Sequence, residues 1–180
     1  MNLLFGFAPF LLFVILSRLS ADLALWLAFA SSFIVTVRDF VESPNLRLLD
    51  GASLALFGLL ALGRGFFMPG LSLAAVRTIM EAGLCLVIFY SLFRGQPFSL
   101  QYASRDSIEP HWPLPDFLHV NRLISLSWGA GFAAMGLADG AVAFAAVPFY
   151  VGIAMNIIVL SFCISFTLRY PVLAARRLPR

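Results

Sequence analysis

The chain has 180 residues, 61% of them hydrophobic and 12% charged, with a net charge of +3 and a mean hydropathy of +0.94. A soluble domain is about 45–50% apolar and about 25% charged, so this composition excludes soluble globular and disordered readings. The 19 Phe, 4 Tyr and 3 Trp are more apolar surface than one core of this size holds, which leaves lipid as the solvent.

Six apolar stretches follow one another, at residues 3–16, 23–37, 48–62, 71–93, 123–147 and 149–168. They predict an all-α fold, a polytopic membrane helix bundle of six transmembrane helices forming one membrane domain over residues 1–180. The first stretch is the weakest. Its length suits a re-entrant or interfacial helix as well as a span, which gives a five-span alternative. No basic residue precedes it, so a signal peptide is disfavoured. The turn Ser17-Arg18-Leu19-Ser20-Ala21-Asp22 joins it to the second stretch, with Asp22 as the expected N-cap. Pro44, Pro69, Pro97 and Pro148 all fall in connections or at a helix start, where a missing N–H is harmless.

All the basic residues are Arg, and none forms a stripe on which nucleic acid could lie. With six spans, Arg38, Arg47, Arg94, Arg105, Arg122, Arg169, Arg176, Arg177 and Arg180 fall on one side, and Arg18, Arg64 and Arg77 on the other. The positive-inside rule then puts both termini in the cytoplasm. The longest polar stretch, residues 94–122 between helices four and five, is the expected cytoplasmic loop. Its prolines and aromatics predict a segment lying along the headgroups, with a short amphipathic piece near residues 98–104 followed by an extended, proline-bent loop.

The fifth stretch carries small residues at Gly129, Ala133, Gly136, Gly140 and Ala143, which share one helical face. Inside lipid, helices hold together by close backbone approach through such residues. This stretch is therefore expected to be a central packing helix, a homodimer through the same face being the alternative. Three ionisable groups lie at depth. Arg77 and Glu81 stand one turn apart on the fourth stretch, with Glu81 about 15 Å along it and Arg77 its nearest partner. Asp139, about 24 Å along the fifth stretch, falls within reach of Arg77. An unpaired charge at that depth costs about 2.5–3.5 kcal/mol. The cluster is thus either an Arg–carboxylate clamp between helices or a polar path for a solute. Asn156, with Ser161, Ser165 and Thr167, reads as interhelical hydrogen bonding.

Cys85 and Cys163 sit in apolar runs and read as small hydrophobes. Glu109, His111, Asp116 and His119 match no zinc spacing, both histidines lie outside the membrane stretches, and no phosphate loop, nucleophile elbow or HExxH motif occurs. No metal, cofactor or enzymatic activity is expected. A lipid-acting loop enzyme would have nothing specific beneath it.

Trp128, then Gly136-Leu137-Ala138-Asp139 and Ala143-Phe144, resembles the corresponding helix of the bacterial intracellular septation protein A family, small polytopic inner-membrane proteins. The helix order, the short apolar N-terminal segment, a basic residue at Arg77 and a loop tryptophan at Trp112 are similar too. Asp139 stands where that family often has Asn, and residues 97–103 depart from its loop, which also admits a sister family. The resemblance implies an inner-membrane protein that supports septum and envelope formation by contacting the division and elongation machinery, with no catalytic residue to carry over. Under that expectation Tyr102, His111, Trp112 and His119 form the loop's contact surface. The alternative expectation is a small-solute transporter or channel using Arg77, Glu81 and Asp139.

Overall fold

The computed structural model describes residues 6–17, 19–42, 47–103, 114–145 and 147–175, and every element among them is helical. Helix α1, Ala8–Leu16, has nine residues, about 14 Å of rise against a hydrocarbon core of about 30 Å. Its Phe10 and Phe13, with Phe7 just before it, are buried within the bundle. The N-cap of α2, Ala21–Glu42, is Ser20, whose Oγ accepts from Leu23 N at 3.4 Å. Asp22, expected as the cap, sits in the first turn and pairs instead with Arg64, Nε to Oδ1 at 2.6 Å.

Helix α3, Leu48–Leu62, matches the predicted run and continues through a π-helical turn, Gly63–Phe67, closed by Met68 N on Gly63 O. Arg64 in that turn also donates through Nη1 to the Leu71 carbonyl oxygen. Helix α4, Leu73–Phe93, is capped by Ser72, whose Oγ accepts from Ala75 N at 3.2 Å. It ends at Gly95, whose φ of 69° is the left-handed conformation that glycine adopts without a Cβ penalty.

After α4 the chain turns into the bundle. Pro97, Phe98 and Ser99 are buried, and the four-residue helix α5, Leu100–Ala103, buries Tyr102. The short helical piece was expected, but its place along the headgroups is corrected: its aromatics face protein. Helix α6, Leu114–Phe144, has 31 residues and starts nine residues before the apolar run that announced it. Pro115 in its first turn is compatible with helix, and Asn121 donates back to Phe117 O at 2.9 Å. The expected loop over 94–122 is therefore helical over its last part, and residues 104–113, with His111 and Trp112, lie outside the described residues. Helix α7, Phe149–Ala175, follows Pro148 as expected.

Among the described residues, four helical stretches are long and apolar enough to cross a membrane: Ala21–Val41, Leu48–Phe67, Leu73–Phe93 and Phe149–Ala174. Helix α6 is longer than any of them but is diluted by glycine, alanine, serine and Asp139. It sits centrally, since α4 and α6 share the most extensive interface and α7 packs on α6 as well. Its expected small-residue face meets α4: a Cβ on Gly129 would lie 3.1 Å from Ile88 Cγ2, one on Gly136 3.5 Å from Glu81 Cβ, and one on Gly140 3.6 Å from Thr78 Cγ2. This contact is within the chain. Between the two ends of the bundle lies an aromatic layer, in which Phe7 stacks on Trp128 at 4.0 Å and Phe10 meets Phe132 edge-on at 5.2 Å.

Candidate functional site

The antiparallel order brings the starts of α4 and α7 beside the end of α6, and the ionisable residues at depth converge there. Arg77 Nε lies 3.0 Å from Asp139 Oδ2, an ion pair whose N–H is not aligned for a hydrogen bond. Asn156 on α7 donates from Nδ2 to the same Asp139 oxygen at 3.0 Å and to Gly152 O at 2.8 Å. Gly152 permits the close approach, because any Cβ there would collide with Asp139 Oδ1. Arg77 also lies over the Phe149 ring, 6.0 Å from its centroid.

One expectation about this cluster is corrected. Arg77 was expected to pair first with Glu81 on its own helix, yet its ion pair is with Asp139. The order Arg before Glu is the weaker one along a helix, and a carboxylate on a facing helix competes with it. Glu81 is 1% exposed, faces Asp139, and its Oε2 has no hydrogen-bond partner. Two buried carboxyl groups thus share one guanidinium.

The opposite end holds a second group of polar side chains. Asp39 near the end of α2 meets Arg47 Nη1 at 2.6 Å and Arg38 Nη2 at 3.5 Å. Asp50 in the first turn of α3 accepts from Tyr102 Oη at 3.0 Å, and Arg47 lies over the Tyr102 ring at 4.8 Å. Gln101 Oε1 accepts from Leu48 N at 2.7 Å, which satisfies a free N–H at the start of α3. Ser99 Oγ bonds the Asn121 carbonyl oxygen at 2.9 Å and stands 3.1 Å from Ser125 Oγ, while Phe98 N donates to Ser91 Oγ. Residues 97–103 therefore tie α3, α4 and α6 together. Burial, with Asp50 close by, pushes the Tyr102 phenol well above its ordinary range.

No protein-family model, curated protein or solved structure matches the chain. Its chemistry has to be read from these two clusters alone.

Of the expected loop contacts, Tyr102 is 2% exposed and so belongs to the interior, not to a contact surface, while His119 is exposed on α6. Thr167 does make the expected interhelical bond, accepting from Trp128 Nε1 at 2.9 Å, whereas Ser161 and Ser165 are exposed on α7. Cys85 and Cys163 both donate to carbonyl oxygens of α6, those of Gly129 and Ser127. Among the described residues no group of three or more His, Cys, Asp or Glu could hold a metal ion. Asp39 and Asp50 escaped the sequence reading because they stand at the polar ends of apolar runs. For Asp39 the signal was periodicity: Ser32, Thr36 and Asp39 share one face of α2 and are all buried.

Proposed function

We propose that this is a multi-pass protein of the bacterial inner membrane that carries a small solute along the polar path at Arg77, Glu81 and Asp139. The observation that supports this reading is the charge balance of the cluster, two buried carboxyl groups to one guanidinium. A clamp between helices needs only one of each. Ionisable groups in excess of pairing are expensive inside a membrane and mark ion or substrate paths.

The bundle we propose crosses the membrane with α2, α3, α4, α6 and α7. The 31 residues of α6 rise about 46 Å, more than enough to span. Gly6 lies against the Tyr102 ring, which supports a sixth, protein-enclosed passage through α1, entering from the end that carries Arg47. That end also carries Arg38, Arg94, Arg122 and Arg169, against Arg64 and Arg77 at the other, which supports a cytoplasmic placement for it and for both termini.

The test is swelling of liposomes containing the purified protein, in a panel of polar amino acids, polyols and monocarboxylates. Faster swelling than protein-free vesicles in at least one solute, altered by Glu81→Gln, is the expected result. Rates equal to those of empty vesicles for every solute would sink the reading.

A second reading is a non-enzymatic envelope and septum protein that works through contacts with the division and elongation machinery, as the resemblance to the septation family implies. The observation favouring it is α7, of which only 22% of the apolar window is buried, leaving Ile157, Ile158 and Phe162 outward. A photocrosslinker at Ile158 that captures division or elongation proteins supports it. Capture of lipid alone, or of a second copy, counts against it.

A further inference from the structure

We propose that Glu81 and Asp139 hold one proton between them, in a site completed by Asn156 and brought to electroneutrality by Arg77. The inference deepens the carrier reading, since it names the proton as the coupling ion and rests on that reading for its use in transport.

Donors and acceptors are mismatched in this cluster. The Arg77 guanidinium and the Asn156 amide both approach one oxygen, Asp139 Oδ2, each at 3.0 Å. Glu81 Oε2, Asp139 Oδ1 and Asn156 Oδ1 are left as acceptors without a partner, on residues that are at most 2% exposed. A buried acceptor without a donor is costly, and so is the surplus negative charge. Protonating one carboxyl corrects both: it adds an O–H donor where two carboxyl groups face each other, and it leaves one carboxylate opposite one guanidinium.

The groups facing Glu81 from the packed elements agree with a charge deficit of one. Arg77 on α4 and Asp139 on α6 are its charged neighbours. Helix α7 contributes the uncharged Asn156 to Asp139. Thr78 commits its hydroxyl to Ala74 O, so it supplies no donor. Gly136 packs its backbone over the Glu81 side chain. A sodium ion fits less well, because three free oxygens are a thin shell and Arg77 repels a fixed cation at this range.

The experiment is infrared spectroscopy of the whole protein in lipid nanodiscs near pH 7, in H2O and D2O. The expected result is a protonated-carboxyl C=O band that shifts on deuteration and loses intensity in Glu81→Gln. A second variant guards against misfolding. Gly136→Ala adds a methyl 3.5 Å from Glu81 Cβ and 3.9 Å from its Oε2, and should displace the band without removing it. Absence of any such band, a band unchanged in both variants, or a band abolished by sodium chloride but not by choline chloride would overturn the proposal, the last in favour of a sodium site. The band without solute flux removes the carrier reading and leaves the proton site standing. Flux without the band does the reverse.

Discussion

Tyr102 donates its hydroxyl to Asp50 Oδ1 at 3.0 Å across 52 positions of sequence, and so fastens the segment after α4 to the first turn of α3. The phenol is a wedge as well as a donor, since its ring also lies beneath Arg47 and against Gly6. Tyr102→Phe keeps the wedge and removes the donor. Asp50 then loses a buried partner, for an expected cost of about 1–3 kcal/mol. Thermal unfolding in detergent should register this as a lower Tm, and an unchanged Tm would show the bond to be dispensable.

The same residue predicts a response to alkali. Its ionisation is raised above the ordinary phenol value of about 10 by burial first and by the Asp50 charge second. A raised phenol favours the protonated folded state, so its contribution to stability is complete below pH about 10 and falls as pH rises above that value. Stability measured from pH 8 to 11 should decline more steeply in the wild type than in Tyr102→Phe. Parallel profiles would mean that other groups govern the alkaline limb.

Arg77 and Asp139 should behave as a coupled pair. Removing the guanidinium leaves two buried carboxyl groups with no cation, so Arg77→Met should cost about 3–5 kcal/mol, and Asp139→Asn should cost less because Glu81 remains to face Arg77. The double variant should cost less than the two singles combined, because neither charge is stranded. Reversible unfolding in mixed micelles measures all four corners of the cycle. Strict additivity would mean that the ion pair at 3.0 Å contributes nothing specific.

The Asp22–Arg64 contact gives the contrasting case. Its separation of 2.6 Å is shorter, but the Asp22 side chain is 61% exposed. Exposed pairs are screened and contribute up to about 1 kcal/mol. Asp22→Asn should therefore shift stability by no more than that in the same assay, and by less at high salt. A loss as large as that of Arg77→Met would point to a further role for Asp22 in holding the π-helical turn.

What the sequence made legible follows from where lipid and water divide. Helix α3 matched its apolar run over residues 48–62, because that run is both continuous and framed by Arg47 and Gly63. Helix α6 extends nine residues further than its run, through Asp116, His119, Asn121 and Arg122. Those polar residues mark the end of an apolar stretch, but nothing in them stops a helix. Depth arithmetic brought Arg77 near Asp139, and the two do meet. It left Glu81 to the nearest cation along the chain, since sequence spacing ranks partners on one helix and is blind to competitors on another. Tyr102 looked exposed for a related reason: a segment flanked by prolines reads as surface, while its burial depends on Asp50 and Arg47 waiting on elements far away in sequence.

The α6–α7 contact is tighter than the small-residue face that was legible. A Cβ on Gly131 would lie 2.8 Å from Cys163 Sγ and 3.1 Å from Val159 Cγ1, whereas one on Gly140 meets nothing closer than 3.6 Å. Gly131 faces α7 and was not among the stripe that faces α4, because a periodic pattern of small residues identifies only one side of a helix. Gly131→Val should push the two helices apart at the level where Cys163 Sγ reaches Ser127 O at 3.4 Å. The expected cost is about 1–3 kcal/mol, the range for overpacking a filled interior. Gly140→Ala should cost much less, and its added methyl should not disturb α7. Comparing the two in detergent, by Tm and by the rate at which a thiol reagent labels Cys163, separates helix separation from a general loss of stability: Gly131→Val should speed labelling, and Gly140→Ala should not. Equal labelling in the two variants would show that α7 is free to yield without opening this contact.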